Sequence, residues 1–550
     1  MVRQKFFIAL FLFITLNLFS QKNQQLDKTA ITKMLNQYSS EDTPGMAVGI
    51  VKDGRIVYEH YVGNANLEHK IKINKDTRFN IASNAKQFTA LCILKLVEQG
   101  KVNLEDDFRK YLPGIHQNIK DKITISNLLT HTSGIRDYCD LLALTGKTWW
   151  KQFINNGDVL KLLEGQKDLN FKPGTEDLYS NSNYILLTEI VKKVSGQNFS
   201  EFSKDLFETL EMPNTSFLTH YGTIVPNRAR AYGNWDGWNE APSIVGVHGD
   251  GALFTTLNDQ LKWEQILQEN DGKYFPRKFI NESQSPLASS IENSYGYGLF
   301  FERLKGLNYT FHDGATGPYN ATFLRFPTKK ISIVVMSNGI NTNANYLAWQ
   351  IAFPLLGWED KEALYPGEPD KIEALKQIQD VLGIYKNEEG TIIKIKEKDG
   401  SLYREMSQRD PVKLIKEQGG LFAYETIKGL KINFTNIGEP EQQFTIYLSS
   451  QAPRTYHKLS DFDKGPFDKM ELNARFYNEE TDTEIILKHL EDNTYSLSKN
   501  GRERKAELIF KDYLRMMSSY EIKIIRDQQG NVVGLNVRNN RIKNVLFKRT

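Results

Sequence analysis

At 550 residues the chain is too long for one hydrophobic core and predicts two to four domains. Its apolar share of 40% and charged share of 25% are those of a folded globular protein and exclude a disordered chain. A net charge of +3 with no long Lys/Arg run gives no basic stripe for nucleic acid, so no nucleic-acid partner is expected.

Residues 1–20 have the layout of a secretory leader. Arg3 and Lys5 precede a mainly apolar run from Phe6 to Phe19, and a cut near Ser20 is expected. The run is short for a membrane span, and no later stretch is apolar enough to make one. The mature chain is therefore expected to be exported, periplasmic or secreted, without stable membrane insertion. Of its two cysteines, Cys92 falls inside an apolar helix and reads as a buried side chain, while pairing with Cys139 stays open.

Past the leader, Leu26 to Tyr38 reads as an amphipathic helix. Two strands follow, joined at Asp53-Gly54, a strong hairpin signal. A helix opening near Ser83 is apolar almost all round, hence buried, and ends at Gly100. A long mixed region leads to three strands between about 296 and 338 and a closing helix that ends near Leu356. Helix, strands, helices, then strands and a helix predict an antiparallel sheet built from both ends of the segment and flanked by helices, an α+β fold. From about Gly383 the texture becomes short alternating strands, repeated from about Met470. Each block opens on a similar phrase, "YKNEEGT" or "YNEETDT", and the two read as copies of a small β-barrel or sandwich.

Ser83-x-x-Lys86 places a hydroxyl and an amine on one face at a helix start. Burial disfavours the charged amine and makes Lys86 a candidate proton acceptor for Ser83. The helix N-terminus supplies N–H groups for a developing oxyanion. Ser83 could equally be a plain N-cap, and this segment leaves both readings open. A second pair, Ser496 and Lys499, falls in a strand-like segment and reads as an exposed strand edge.

Tyr179-Ser180-Asn181 sits in a turn before another apolar helix. A tyrosine beside a lysine can shuttle protons, and an asparagine amide can hold both the lysine and a substrate carbonyl. Tyr-x-Asn also occurs at Tyr232 and Tyr385, so it is weak by itself. His312-Asp313-Gly314 lies on a predicted strand. Gly314 would let a substrate backbone approach closely, and His312 could meet its polar end; a packed histidine is the plainer reading.

In order and separation these three segments resemble the motifs of the serine β-lactamase and penicillin-binding-protein superfamily. The likeness is to its class C β-lactamase, D-alanyl-D-alanine carboxypeptidase and D-aminopeptidase branch. "LLTHTSGI" (Leu128–Ile135), "KPGTEDLYSNSNY" (Lys172–Tyr184) and "GDGALFTTLNDQLKW" (Gly249–Trp263) look like the same branch. The resemblance covers residues 26–360, followed by a linker at 361–382. More loosely, the blocks at 383–460 and 465–550 resemble lipocalin-like barrels found after this domain in some exported members.

The resemblance implies a serine hydrolase needing no cofactor or metal, acting on small molecules or peptides. Ser83 would be the acylated nucleophile and Lys86 with Tyr179 the proton-transfer pair, with the first base left open. Asn181 would position the substrate amide, and the N–H groups of Ser83 and Ala315 would form the oxyanion hole. His312 departs from the lysine usual in the β-lactamases and carboxypeptidases. It is expected to be mostly neutral at pH 7, to gain a proton as pH falls from 8 to 6, and only then to anchor a substrate carboxylate. That departure favours D-amino-acid peptides or amides, with β-lactamase or esterase activity as the alternative. A non-catalytic binding protein is the remaining class. The terminal blocks are expected to be accessory to the chemistry.

Overall fold

The computed structural model describes residues 26–147, 152–241, 246–291, 294–358 and, with short breaks, 373–550. The predicted leader, 1–20, and much of the 361–382 linker lie outside the described residues.

Asp53 and Gly54 both take positive φ (50° and 73°), as a tight hairpin turn requires, and join strands β1 (Met46–Lys52) and β2 (Arg55–Val62). The later strands are β3 (Tyr295–Gly296), β4 (Leu299–Leu304), β5 (Leu307–Thr316), β6 (Tyr319–Phe326) and β7 (Ile331–Ser337). They form one seven-stranded sheet in the order β3-β4-β5-β6-β7-β1-β2. β1 pairs antiparallel with β7, from Met46 opposite Ser337 to Lys52 opposite Ile331. The early hairpin thus closes a sheet begun almost 250 residues later in the chain, as the split pattern of elements predicts.

Side chains alternate across β1. Met46, Val48 and Ile50 join Ile31 and Leu35 of helix α1 (Lys28–Leu35), and Leu347, Trp349 and Ile351 of the closing helix, Ala344–Leu356, in one apolar layer. Ala47 and Val51 face the other layer, which holds helices α2 (Lys86–Glu98) and α3 (Asn181–Ser195). Every residue of α2 from Lys86 to Leu94 is buried, so two polar side chains at its start, Lys86 and Gln87, enter the core. Buried polar groups need partners. Theirs define the site described below.

Two closed eight-stranded barrels follow, running from Gly383–Lys386 to Gln451–Lys458 and from Ala474–Asn478 to Ile542–Arg549. Closure corrects the reading of Ser496 and Lys499. Their strand, Thr494–Lys499, is paired on both sides, so it is no edge. Ser496 is buried and Lys499 donates to the Ala143 carbonyl of the first domain. Cys92 and Cys139 are both free thiols.

Candidate active site

Ser83 does not cap a helix. It lies in a 3₁₀ turn, Ala82–Ala85, and α2 begins only at Lys86, with Ala85 at the N-cap and no side-chain cap bond. Ala82 holds φ at +47°, a conformation an alanine adopts only when its surroundings impose it. Its N–H donates to Asn80 Oδ1 (2.9 Å). The turn leaves Ser83 half-buried while Lys86 is fully enclosed.

Lys86 Nζ has three neighbours at hydrogen-bond distance: the Asp250 carbonyl (2.6 Å), Asn181 Oδ1 (2.9 Å) and Ser83 Oγ (3.1 Å). The first two can only accept. They take two of its hydrogens in either charge state, so the third position decides the chemistry. As an ammonium Lys86 donates to Ser83 Oγ; with one proton fewer, its lone pair faces the serine hydroxyl and can receive that proton. The same Nζ lies 5.1 Å from the Tyr179 ring centroid.

Tyr179 and Asn181 flank the start of α3, and two buried side chains pin that turn. The Asn181 N–H donates to Asp137 Oδ2 (2.7 Å). His131 Nδ1 accepts from the Ser180 N–H (3.3 Å) and the Asn183 side-chain amide (3.1 Å). The His131 ring packs 4.3 Å from that of Tyr179, and burial together with the Lys86 charge holds its pKa well below the ordinary value.

His312 is placed beside this group but not as expected. Its Nδ1–H donates to the Asp313 carbonyl (2.7 Å), so Nε2 is the acceptor and takes the Tyr295 hydroxyl (3.2 Å). Only 2% of the residue is exposed. Burial, reinforced by Lys86, pushes its pKa down to about 3. This corrects the expectation that His312 gains a proton between pH 8 and 6: both nitrogens are engaged and the ring stays neutral through that range.

Gly314 is corrected in its reason. A Cβ there would sit 2.3 Å from the Ile81 carbonyl oxygen and 3.1 Å from the Ala82 Cβ. What approaches Gly314 is the chain's own Ser83 turn. β4 pairs with β5 only as far as Phe311, so among the described residues the next stretch, His312–Thr316, has no strand neighbour on that side. Ala315 is exposed on this stretch, one residue past the contact with the turn.

The predicted side chains of Ser83, Lys86, Tyr179, Asn181 and His312 thus converge, with Gly314 and Ala315 alongside. Tyr295, His131 and the Asp250 carbonyl were not foreseen as partners. Neither was Arg541, from the last hairpin of the second barrel, whose guanidinium carbon is 4.9 Å from the Tyr179 ring centroid. "LLTHTSGI" and "GDGALFTT" marked two of these segments, but nothing marked Tyr295 or Arg541.

The family model described as Beta-lactamase matches residues 21–353. Protein flp of Staphylococcus aureus (strain N315) is 29% identical over 343 residues, which cover 58% of this chain and 64% of that protein. The D-aminopeptidase of Gluconobacter oxydans (strain 621H) is 27% identical over 333 residues, 60% of each chain. The match thus spans about three fifths of the length of these relatives. The octameric penicillin-binding protein homologue from Pyrococcus abyssi, 21% identical, covers 95% of this chain and all of its own with a TM-score of 0.54, a likeness of fold.

Proposed function

Because the chain belongs to the Beta-lactamase family, we propose that it is an exported serine hydrolase that forms an acyl-enzyme at Ser83 and cleaves D-amino-acid peptides or amides. The observation that carries this reading is the Lys86 amine, 3.1 Å from Ser83 Oγ, with its two other positions occupied by acceptors. In the proposed reaction Ser83 Oγ gives its proton to the Lys86–Tyr179 pair as it bonds to the substrate carbonyl carbon. The C–N bond then breaks, and the pair returns the proton to the leaving amine. Water repeats the sequence to release the acyl group and restore the serine. Asn181 orients the amide, and the N–H groups of Ser83 and Ala315 hold the oxyanion. The similarity to a protein named D-aminopeptidase, and a neutral, engaged His312 at the third motif, support peptides or amides over substrates anchored there by a carboxylate.

The test is intact-mass and peptide mapping after treatment with a fluorophosphonate, on protein recovered from the exported fraction. The expected result is one adduct on Ser83, on a chain lacking roughly the first 20 residues, as a leader of this kind predicts. Lys86→Ala and Tyr179→Phe should each slow labelling and turnover of D-aminoacyl anilides by about 100-fold. Their effects should not add, since the two act as a unit. Labelling elsewhere that survives Ser83→Ala would overturn the assignment.

A further inference from the structure

With His312 neutral and enclosed, a carboxylate on the substrate has no cation to meet on β5. The second barrel supplies one. Its final two strands, Val532–Asn539 and Ile542–Arg549, are joined by a hairpin turn that carries Arg541. The backbone there is held on the first domain from three directions. The Arg541 carbonyl accepts from the Asp137 N–H (3.3 Å) and from the Asn170 side-chain amide (3.1 Å), and the Arg541 N–H donates to Asp140 Oδ2 (3.2 Å). The placement of this residue is therefore built in.

The guanidinium itself is loosely held. Among the described residues it makes no hydrogen bond, and its carboxylate partner, Asp137 Oδ2, is 3.8 Å from Nη1. The Asp137 oxygens already accept the Asn181 and Cys139 N–H groups at 2.7 and 2.9 Å. The Arg541 side chain is 41% exposed, whereas Asp137 is fully buried. A planar fork of five donors, half-open to solvent, lies against the ring of Tyr179. Such a fork matches a carboxylate bidentately.

We propose that Arg541 is a specificity-determining residue that reads a carboxylate on the leaving group, so that the preferred substrates are short peptides whose leaving amino acid carries a free C-terminus. The argument for the leaving-group side rests on the reading of Tyr179 as part of the proton-transfer pair. The group that returns a proton to the departing amine must face it, and a free amino acid puts its carboxylate one residue, about 3.6 Å or less, beyond that nitrogen. Arg541, its guanidinium carbon 4.9 Å from the Tyr179 ring centroid, is the residue this proposal sets against that carboxylate. No covalent step is added; the guanidinium binds and orients.

The experiment uses the full chain and matched probes: D-alanyl-, D-leucyl- and D-phenylalanyl-glycine against the corresponding glycinamides. Turnover is measured with the wild type and equilibrium binding with Ser83→Ala, so binding still reads the inference if Ser83 is not the nucleophile. For at least one pair the free acid is expected to be favoured by tenfold or more, in kcat/KM and in affinity. Arg541→Met, which keeps most of the stem, should bring that ratio below about twofold, a change read within each acid–amide pair so that any effect through Tyr179 common to both cancels. Arg541→Lys, with a charge but no fork, should fall between. Equal treatment of acid and amide by the wild type in every pair would overturn the proposal without any variant. So would an Arg541→Met effect of the same size on acids and amides, which would mark the residue as a structural pin. Failure of Ser83 labelling with acid preference intact would overturn the proposed chemistry alone.

Discussion

His312 is held by two bonds of opposite sense, and this sets a direction for pH. The Nδ1–H donates to a carbonyl and Nε2 accepts a tyrosine hydroxyl, so a second ring proton would meet Tyr295 head-on inside an enclosed site near Lys86. An unfolded histidine takes up a proton below about pH 6.5, whereas the native ring does so only near pH 3. Between those values the unfolded chain binds more protons, so stability falls as pH falls, beginning near 6.5 and ending near 3. From pH 6.5 to 5 this one residue should cost roughly 2 kcal/mol. Urea midpoints of wild type and His312→Gln at pH 7.5, 6.5 and 5 should show a shallower decline in the variant. His131 and His116 are also depressed by burial, but they are common to both proteins and drop out of the comparison. Parallel declines would mean that His312 is not held neutral. At this scale the sequence is legible where partners are local: Ser83 with Lys86 and Tyr179 with Asn181 each lie within four residues. It is silent where the partner arrives through the fold. Asp250 contributes a carbonyl, which any residue would carry, and Tyr295 meets His312 only because β3 and β4 turn back over β5.

Two strand segments lean on the backbone that presents the nucleophile. Gly314 of β5 meets the Ile81 carbonyl, and Gly298, at φ +82° between β3 and β4, would put a Cβ 2.4 Å from the Gln87 nitrogen. The stretch from Ile81 to Gln87 is thus clamped at both ends by glycines whose missing side chains make room for main chain. Gly314→Ala sets a methyl against backbone that cannot rotate away, and overpacking of this kind costs about 1–3 kcal/mol. The strand or the Ser83 turn must shift. The expected outcome is a folded protein with unchanged far-UV circular dichroism and a fluorophosphonate labelling rate lowered at least tenfold. An unchanged rate would mean that the turn's position is not set by β5. Elements were read well from sequence where a residue type demands one conformation, as at Asp53-Gly54. The start of α2 was read three residues early, because a 3₁₀ turn and a first α-helical turn present side chains alike and alanine at 82 gives no hint of positive φ. The barrel repeat shows a similar slip. The shared phrases match on tyrosine, yet in space Tyr385 corresponds to Phe476, both fully buried at the start of their barrels, while Tyr477 is exposed.

The two barrels differ in how they join the rest of the molecule. The first has a core of its own, around Tyr385, Ile393 and Phe444. The second shares one continuous apolar cluster with the helical layer of the first domain, reaching from Leu91 and Leu128 to Phe476, Leu535 and Phe547. At the centre of the contact is Arg136, whose guanidinium is wholly enclosed. It donates to Gln166 Oε1 (2.9 Å) in its own domain and, across the boundary, to Glu480 and the carbonyls of Lys543 (3.2 Å) and Asn544 (2.8 Å). The latter two residues continue the turn that carries Arg541. The sequence reading treats both barrels alike, and the reason it missed the difference in how they join is physical: an interface between distant segments leaves no periodicity in either. Removing one partner of a buried ion pair strands the other charge, at about 3–5 kcal/mol, whereas replacing both with apolar groups of similar size is close to neutral. Glu480→Ala should accordingly lower the calorimetric unfolding midpoint by several degrees and open the chain around Arg541 to limited proteolysis. Arg136→Met with Glu480→Leu should restore much of the midpoint. As a control, Lys167→Met at an exposed pair across the same boundary (Nζ to Glu479 Oε2 2.7 Å) should change it little. If Glu480→Ala unfolds like the wild type, Arg136 does not hold the second barrel, and the placement of Arg541 must depend on the apolar contact and on its own backbone bonds to Asp137, Asp140 and Asn170.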